Sequence, residues 1–310
     1  MSDHSPSDAN PDRPSDAAFP WPTEPQKPSR KKRPGFKKFF TFWVPESFQP
    51  AAKTKEAREW FYGRTILPLA VSYMRFQGLD ITVEGAEKMP VDGGGMVVIN
   101  HTGFFDFVYG GIPAFLNGRR LVRFMAKKEI FDVRGVGPIM NTMKHIPVDR
   151  SAGRGAYQEA VRRLQDGALV GIFPEATISR SFEIKDFKTG AVRIAHEAGV
   201  PLLPVVIFGS QRVWTKKGKR QLGRVNVPIW IRVCDPIMPT DDPAESNQKL
   251  QQAMSEELDR LKEDYLMRYG SEPGASWLPA KLGGSAPTLE EANDMDRKEQ
   301  EERRRRRQQK

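Results

Sequence analysis

Short apolar runs alternate with helical segments along residues 79–234, and this alternation limits the fold more than any other property of the sequence. Strands separated by helices are expected to run in the same direction, because each helix carries the chain back across the sheet. The pattern predicts an α/β fold with a mostly parallel central sheet flanked by helices. The predicted strands are 79–84, 95–100, 121–126, 144–148, 168–173, 202–208 and 227–234, and the predicted helices are 106–117, 137–143, 154–166 and 189–198.

Two segments of different composition precede this region. Residues 1–34 contain eight of the twenty-five prolines among Ser, Asp and Lys, which predicts a disordered leader. Residues 35–78 begin with interleaved aromatic and basic side chains and continue into an amphipathic stretch from Thr54 to Met74, which predicts a helical membrane-associated region. The alternative is that these aromatic side chains dock on the core of the protein itself.

The alternating region continues into one more amphipathic helix. Asp242 is a typical N-cap residue, and apolar residues from Leu250 to Tyr265 recur at helical spacing, so the predicted α/β domain spans residues 79–270. Beyond it, residues 271–310 are rich in Pro, Gly, Ser and charged side chains, a composition that predicts a disordered basic tail.

The formal net charge of +10 is concentrated in two short segments. Residues 26–40 carry seven Lys or Arg and residues 303–310 carry six, with no acid in either, so the remainder has a net charge of −3. On charge alone, such basic strips suit an anionic membrane surface or an RNA backbone equally well. The longest apolar stretch, residues 65–74, is shorter than the ~20 residues that span a bilayer, so any membrane contact is expected to be peripheral.

The sequence lacks the residues or motifs that several classes of protein require. Cys234 is the single cysteine and the four histidines show no ligand spacing, so we predict no disulfide and no metal site. The polar N-terminus has no apolar signal-peptide core, and a reducing, cytoplasmic location is expected. Neither the GxSxG segment of serine esterases nor a phosphate-binding P-loop occurs.

His101 and Asp106 lie in the segment NHTGFFDF, residues 100–107, directly after a predicted strand. Near neutral pH, histidine is the side chain best able to take a proton from an alcohol, and a carboxylate fixes its tautomer and steadies the imidazolium. A regular helix would separate the two side chains by about 140°, so they converge only if residues 102–105 form a turn, which Gly103 favours. The pair predicts general base catalysis on a hydroxyl substrate.

The segment FPEATISR, residues 173–180, follows another predicted strand. Ligands of open α/β sheets bind beyond the carboxyl ends of the strands, so this segment and the His101 segment are expected at one rim. There Arg180, with Thr177 as a hydroxyl donor, is predicted to hold an anionic group such as a phosphate. Glu175 is predicted either to bind a substrate hydroxyl or to position Arg180. Lys128 and Arg150 add positive charge if their segment loops over the rim.

The segments NHTGFFDF, KKEI followed by IPVDR, FPEATISR and VPLLPVVI resemble the four ordered blocks of the glycerolipid acyltransferase family, particularly bacterial 1-acylglycerol-3-phosphate acyltransferases. The resemblance covers about residues 79–236. It implies that His101 deprotonates an acceptor hydroxyl, which attacks an acyl thioester directly, and that Asp106 supports the histidine. Further residues are predicted to bind substrate, either from the resemblance or from their expected position at the rim. They are Asn100, Lys128, Arg150, Pro174, Glu175, Thr177 and Arg180.

The resemblance implies a reaction and its partners. A fatty acyl group is expected to pass from acyl-CoA or acyl carrier protein to 1-acylglycerol 3-phosphate, giving phosphatidic acid without a cofactor. The expected location is the cytoplasmic face of the cell membrane, against an anionic surface and with no nucleic acid partner. The alternatives are an acyltransferase for another lysophospholipid, a glycolipid or glycerol 3-phosphate, and a non-catalytic membrane- or RNA-binding protein.

The third block departs from the family pattern. The family has Glu, Gly, Thr and Arg in succession, whereas Ala176 here follows Glu175 and two further residues displace the arginine to Arg180. Alanine disfavours the positive φ that glycine adopts freely. A differently shaped loop is therefore expected, one that suits another lysophospholipid or a larger polyol headgroup.

Overall fold

The computed structural model describes residues 21–22, 33–149 and 153–308. Within them, nine strands form one sheet in the order β1-β2-β3-β9-β8-β4-β7-β5-β6. Only the β1–β2 and β8–β9 pairs are antiparallel, so the predicted mostly parallel sheet is confirmed. The strands are β1 (Phe36–Phe39), β2 (Phe42–Pro45), β3 (Asp80–Glu84), β4 (Gly95–Ile99), β5 (Val122–Lys127), β6 (Ile146–Val148), β7 (Leu169–Ile172), β8 (Leu202–Phe208) and β9 (Pro228–Val233).

Helices cover both faces of this sheet, and each face has its own apolar layer. One layer joins the sheet to α6, α7 and α8, and the other joins it to α1, α2 and α3. No described helix is both long and apolar enough to cross a bilayer. The helices are α1 (Leu67–Gln77), α2 (Asp106–Gly110), α3 (Ile112–Leu116), α4 (Lys128–Phe131), α5 (Val136–Thr142), α6 (Arg154–Gln165), α7 (Gly190–Ala198), α8 (Pro243–Tyr269) and α9 (Leu289–Gln308).

The predicted helix 106–117 is two helices, α2 and α3, separated at Gly111. Pro113 lies in the first turn of α3 and has no N–H to donate to the carbonyl four residues earlier. The break limits α2 to the five residues that directly follow the turn carrying His101.

The predicted helical membrane-associated region is wrong for its first part, because residues 36–45 form the β1–β2 hairpin. Phe42 and Trp43 are buried, and the Trp43 Nε1 donates a hydrogen bond to Asp80 at 2.8 Å. Aromatic and β-branched residues favour strands over helices, and here they cover the sheet edge at β3. The alternative of aromatic side chains docked on the core is therefore correct except for Phe40, which is 57% exposed. Helix occurs further on, as a 3-10 turn (Lys55–Arg58), a π-helical turn (Tyr62–Ile66) and α1.

The predicted disordered tail is also wrong for residues 271–308. Leu278 is completely buried, and α9 begins with a capping box in which Thr288 and Glu291 each accept a hydrogen bond from the other's N–H. Composition gave no sign of this order, because α9 is held by side chains elsewhere in the fold. The predicted leader, residues 1–34, lies outside the described residues except for 21–22 and 33–34.

Candidate active site

The carboxyl ends of β4 and β7 bring the two predicted motifs together. The strands are adjacent and parallel, with Val98 opposite Ile172. Beyond them, the Ser179 N–H donates to the His101 carbonyl at 2.7 Å, and the His101 N–H donates to the Glu175 carboxylate at 2.9 Å. The expectation of a shared rim is confirmed by these two bonds.

The imidazole of His101 is oriented by Asp106. Its Nδ1 lies 3.1 Å from Oδ2 of Asp106, a carboxylate that is completely buried. The same oxygen accepts hydrogen bonds from the N–H groups of Thr102 at 2.6 Å and Gly103 at 2.7 Å. With Nδ1–H donating to the carboxylate, Nε2 carries the lone pair that can accept a proton. The side chain of His101 is 19% exposed, so a substrate can reach it.

A turn of residues 102–105 makes this geometry possible, as the sequence predicted. Gly103 fits the limited space there, because a Cβ atom would lie 3.1 Å from the Ser210 carbonyl oxygen, closer than an ordinary contact. The segment after β8 closes over the turn, since the Thr215 hydroxyl donates to the Thr102 carbonyl at 2.6 Å. The turn is thus held by Asp106 on one side and by the segment after β8 on the other, and this fixes the position of His101.

Aromatic packing restrains the imidazole ring. Phe173, directly after β7, stacks on His101 with ring centroids 4.1 Å apart and an interplanar angle of 23°. Phe124 of β5 stacks on Phe173 in turn, at 6.1 Å and 16°. Phe173 was not among the predicted site residues, although it lies at the end of a predicted strand, where ligands of open α/β sheets bind.

Glu175 joins the two motifs through the backbone. One carboxylate oxygen accepts from the His101 N–H and the other from the Lys185 N–H at 3.3 Å. The predicted positioning of Arg180 is wrong, because the buried carboxyl bonds to main chain rather than to Arg180, whereas binding of a substrate hydroxyl stays a prediction. Ala176 adopts a φ of +58°, so the loop takes the left-handed conformation with alanine where glycine would be unstrained.

Burial raises the pKa of the Glu175 carboxyl from 4.5 to about 8, although its backbone hydrogen bonds act in the opposite direction. Between those two pH values this group binds up to one proton more in the folded state than in the unfolded state, so the contribution of Glu175 to the free energy of unfolding falls as the pH rises from 4.5 toward 8. Replacing Glu175 with Gln removes this titration and is expected to flatten the decline. Urea unfolding at pH 5, 6.5 and 8 measures it.

The control for that experiment is Glu263→Gln, an exposed position on α8. It is expected to leave the pH dependence of the wild-type protein unchanged. Parallel curves for the wild type and the Glu175→Gln variant would show that the buried carboxyl stays ionised across this range.

Arg180 lies in a cluster of cations at the same rim. Its side chain is only 5% exposed and pairs with Glu299 of α9 at 2.5 Å. Lys216 donates to the Thr177 hydroxyl at 3.4 Å, and both Lys185 and Lys216 form ion pairs with Asp296 of α9. Lys185 and Lys216 were not assigned from sequence, although Lys216 follows a predicted strand and could have been placed at this rim.

The remaining predicted site residues have different positions. Asn100 was predicted to bind substrate, but its buried amide instead donates a hydrogen bond to the Ile207 carbonyl and accepts one from the Ile207 N–H. It therefore joins β4 to β8. Pro174 is buried, and its carbonyl accepts from the Lys188 N–H at 3.0 Å. Lys128 is exposed and pairs with Asp149 at 3.6 Å. Arg150 lies outside the described residues.

Comparison with known proteins identifies the family. Residues 80–208 match the model of the Acyltransferase family. A 1-acyl-sn-glycerol-3-phosphate acyltransferase of Bacillus subtilis (strain 168) is 32% identical over 145 residues, which are 46% of this chain and 70% of that protein. The chain belongs to the acyltransferase family. The His101 turn and the loop after β7 both lie inside the matched segment of this acyltransferase.

Further relatives agree with this assignment. A chloroplastic 1-acyl-sn-glycerol-3-phosphate acyltransferase of Arabidopsis thaliana is 29% identical over 155 residues, 49% of this acyltransferase and 42% of the plant protein. The crystal structure of the 1-acyl-sn-glycerophosphate (LPA) acyltransferase PlsC from Thermotoga maritima aligns with a TM-score of 0.50 at 25% identity. That alignment covers 62% of this chain and 79% of the Thermotoga chain, and its fold agrees with the mostly parallel sheet described above.

Proposed function

We propose that this acyltransferase moves a fatty acyl group from acyl-CoA or acyl carrier protein to the free hydroxyl of 1-acylglycerol 3-phosphate, giving phosphatidic acid. The observation that carries the proposal is the partly exposed imidazole of His101, with Nδ1 held by Asp106 at 3.1 Å and a cation cluster at the same rim. The names of its relatives support the same acceptor.

The reaction follows from this geometry. Nε2 of His101 takes the proton of the acceptor hydroxyl as the oxygen attacks the thioester carbonyl, and the carboxylate of Asp106 stabilises the imidazolium. When the tetrahedral intermediate collapses, the carbon–sulfur bond breaks and the imidazolium returns the proton to the thiolate. The thioester is already reactive, so activating and positioning the alcohol suffices and no cofactor is required.

The phosphate of the acceptor is proposed to bind the cations at the rim. Arg180 offers a planar donor group and Thr177 a hydroxyl, and both follow the strand that delivers Phe173 to the histidine. The strained loop at Ala176 is compatible with a headgroup other than glycerol phosphate, so another lysophospholipid, a glycolipid and glycerol 3-phosphate are the competing acceptors.

One assay separates these possibilities. The purified chain is incubated with acyl-CoA, one acceptor and a thiol reagent that reports free coenzyme A, and the lipid products are analysed by mass spectrometry. Coenzyme A release with formation of phosphatidic acid is expected for lysophosphatidate. If coenzyme A is released only with another acceptor, that acceptor is the substrate. If no acceptor causes release of coenzyme A, the result favours a non-catalytic membrane- or RNA-binding protein.

The same proposal includes peripheral contact with an anionic membrane, through one face of α1. Leu69, Tyr73 and Phe76 recur at helical spacing on that face, with Leu69 62% and Phe76 60% exposed. Arg64 and Arg75, both exposed, flank these side chains and suit anionic headgroups. An apolar helical face beside cations is typical of a helix that lies in the membrane interface.

Replacing Leu69 and Phe76 together with Ser is expected to weaken binding to vesicles of phosphatidylcholine and phosphatidylglycerol by about tenfold or more, since each immersed side chain contributes on the order of 1 kcal/mol or more. Cosedimentation measures the bound fraction. Met267→Ser, which changes an equally exposed residue of α8, is the matched control. If the double variant and this control bind equally well, another surface meets the membrane.

A further inference from the structure

Three cations form a pocket at the catalytic rim, here called the anion pocket and made of Arg180, Lys185, Lys216 and the Thr177 hydroxyl. Arg180 and Lys185 are more than nine-tenths buried, and Lys216 is largely buried. Burying several like charges together is unfavourable unless anions compensate them. The pocket is therefore built to hold negative charge.

The anion pocket adjoins the turn that carries His101. Arg180 directly follows Ser179, whose N–H donates to the His101 carbonyl at 2.7 Å. Lys216 directly follows Thr215, whose hydroxyl donates to the Thr102 carbonyl at 2.6 Å. A phosphate bound between these cations would therefore lie close to the catalytic base.

Two carboxylates of α9 occupy the anion pocket. Asp296 pairs with Lys185 at 2.5 Å, with Lys216 at 2.9 Å and with Arg180 at 3.7 Å. Glu299, one helical turn later, pairs with Arg180 at 2.5 Å and with Lys216 at 2.8 Å. The negative groups of α9 thus bind where a phosphate would.

These carboxylates do not satisfy the anion pocket. Among the described residues, Asp296 and Glu299 are the two carboxylates that form ion pairs with the three cations, and the buried Nε of Arg180 has no hydrogen-bond partner there. A phosphate monoester carries up to two charges on three terminal oxygens and suits a guanidinium and two ammonium groups. The unused donor of Arg180 indicates a ligand with more acceptor oxygens than α9 supplies.

The helix is also attached in a way that allows release. On the face of α9 that meets the rest of the protein, the completely buried apolar residue is Ala292, which has a small side chain. Met295, also on α9, is 40% exposed. Little apolar area is lost if α9 leaves, so ion pairs contribute most of its attachment. An incoming phosphate can replace those ion pairs with its own.

We propose that the anion pocket, including Lys185 and Lys216, binds the phosphate of the acceptor, and that α9 is an autoinhibitory helix whose Asp296 and Glu299 compete for it. This inference rests on the proposed function, because the acceptor must carry a phosphate. The helix lowers the apparent affinity for acceptor without touching the chemical step.

The test neutralises the competing carboxylates in the full chain, as the double variant Asp296→Asn/Glu299→Gln. Calorimetry with glycerol 3-phosphate is expected to show binding about tenfold tighter than in the wild type, within the usual range of coupling between sites. The KM for lysophosphatidate should fall by a similar factor with kcat within twofold. Glu301→Gln/Glu302→Gln, which neutralises two exposed residues of the same helix, is the control and should change neither value.

A second variant tests the cations themselves. Adding Lys185→Ala to the double variant is expected to reverse the tighter binding of glycerol 3-phosphate. Unchanged or weaker binding in Asp296→Asn/Glu299→Gln, or a raised KM together with a lower melting temperature, would make α9 a structural brace and overturn the inference.

Failure of the proposed function gives a different result, because calorimetry requires no turnover. If the double variant binds glycerol 3-phosphate more tightly but no acyl transfer occurs with any acceptor, the role of the anion pocket is supported and the proposed reaction is contradicted. If acyl transfer occurs but the affinities do not change, the reaction stands and the role of α9 falls.

Discussion

Replacing His101 with Ala is expected to lower kcat for acyl transfer by ~10²-fold or more, because the reaction loses its general base. The fold should survive, since the imidazole is partly exposed and its removal costs mainly the stacking contact with Phe173 and the hydrogen bond to Asp106. Steady-state kinetics on the purified variant, with a thermal melt of the same sample, measures both effects.

The matched control for this experiment is His196→Ala. His196 lies on α7, is exposed, and pairs with the fully exposed Asp241 at 3.0 Å, far from either catalytic motif in the chain. Its loss should leave kcat unchanged. A His101→Ala enzyme that is folded and keeps more than about a tenth of the wild-type kcat would contradict the assignment of the base.

Replacing Asp106 with Asn is expected to lower kcat by about ten- to a hundredfold while the turn stays intact. All three hydrogen bonds to Asp106 end on Oδ2, and the buried Oδ1 has no partner among the described atoms. The asparagine oxygen can therefore take the place of Oδ2 and keep the histidine tautomer. The lost contribution is the negative charge facing the imidazolium, since a hydrogen bond to a charged group is worth about 1.5–3 kcal/mol.

Comparison with Asp106→Ala separates charge from geometry. Alanine also leaves the N–H groups of Thr102 and Gly103 without an acceptor, so its melting temperature should fall further than that of the asparagine variant. Urea unfolding and kcat are measured for both proteins. Wild-type kcat in the asparagine variant would mean that the carboxylate only supports the turn.

The central sheet was predictable because each of its strands is a short apolar run of neighbouring residues. Each of the seven predicted strands overlaps an observed one, and the segment 202–208 coincides with β8. Parallel strands buried on both faces require continuous apolar runs, which are visible in a single sequence. The His101 turn was predictable for a similar reason, since both of its functional side chains lie within six residues.

The two errors at the chain ends have a different origin. Residues 36–45 form a hairpin because β3 offers an open sheet edge with which β2 can pair, and that edge exists only in the folded protein. The helix α9 is ordered by ion pairs with Arg180, Lys185 and Lys216, which lie far away in sequence. Its highly charged composition was typical of disorder as long as those partners were unknown.

The sequence alone determined which residues form the seven strands from β3 to β9 and which side chains carry the base chemistry, because periodicity and short motifs act over neighbouring residues. The tertiary structure alone decided that β4 and β7 are neighbours, that Glu175 bonds to backbone and that Lys185 and Lys216 join Arg180. Those facts depend on strand order and on contacts between distant segments, which follow from the packing of the whole domain rather than from any local pattern.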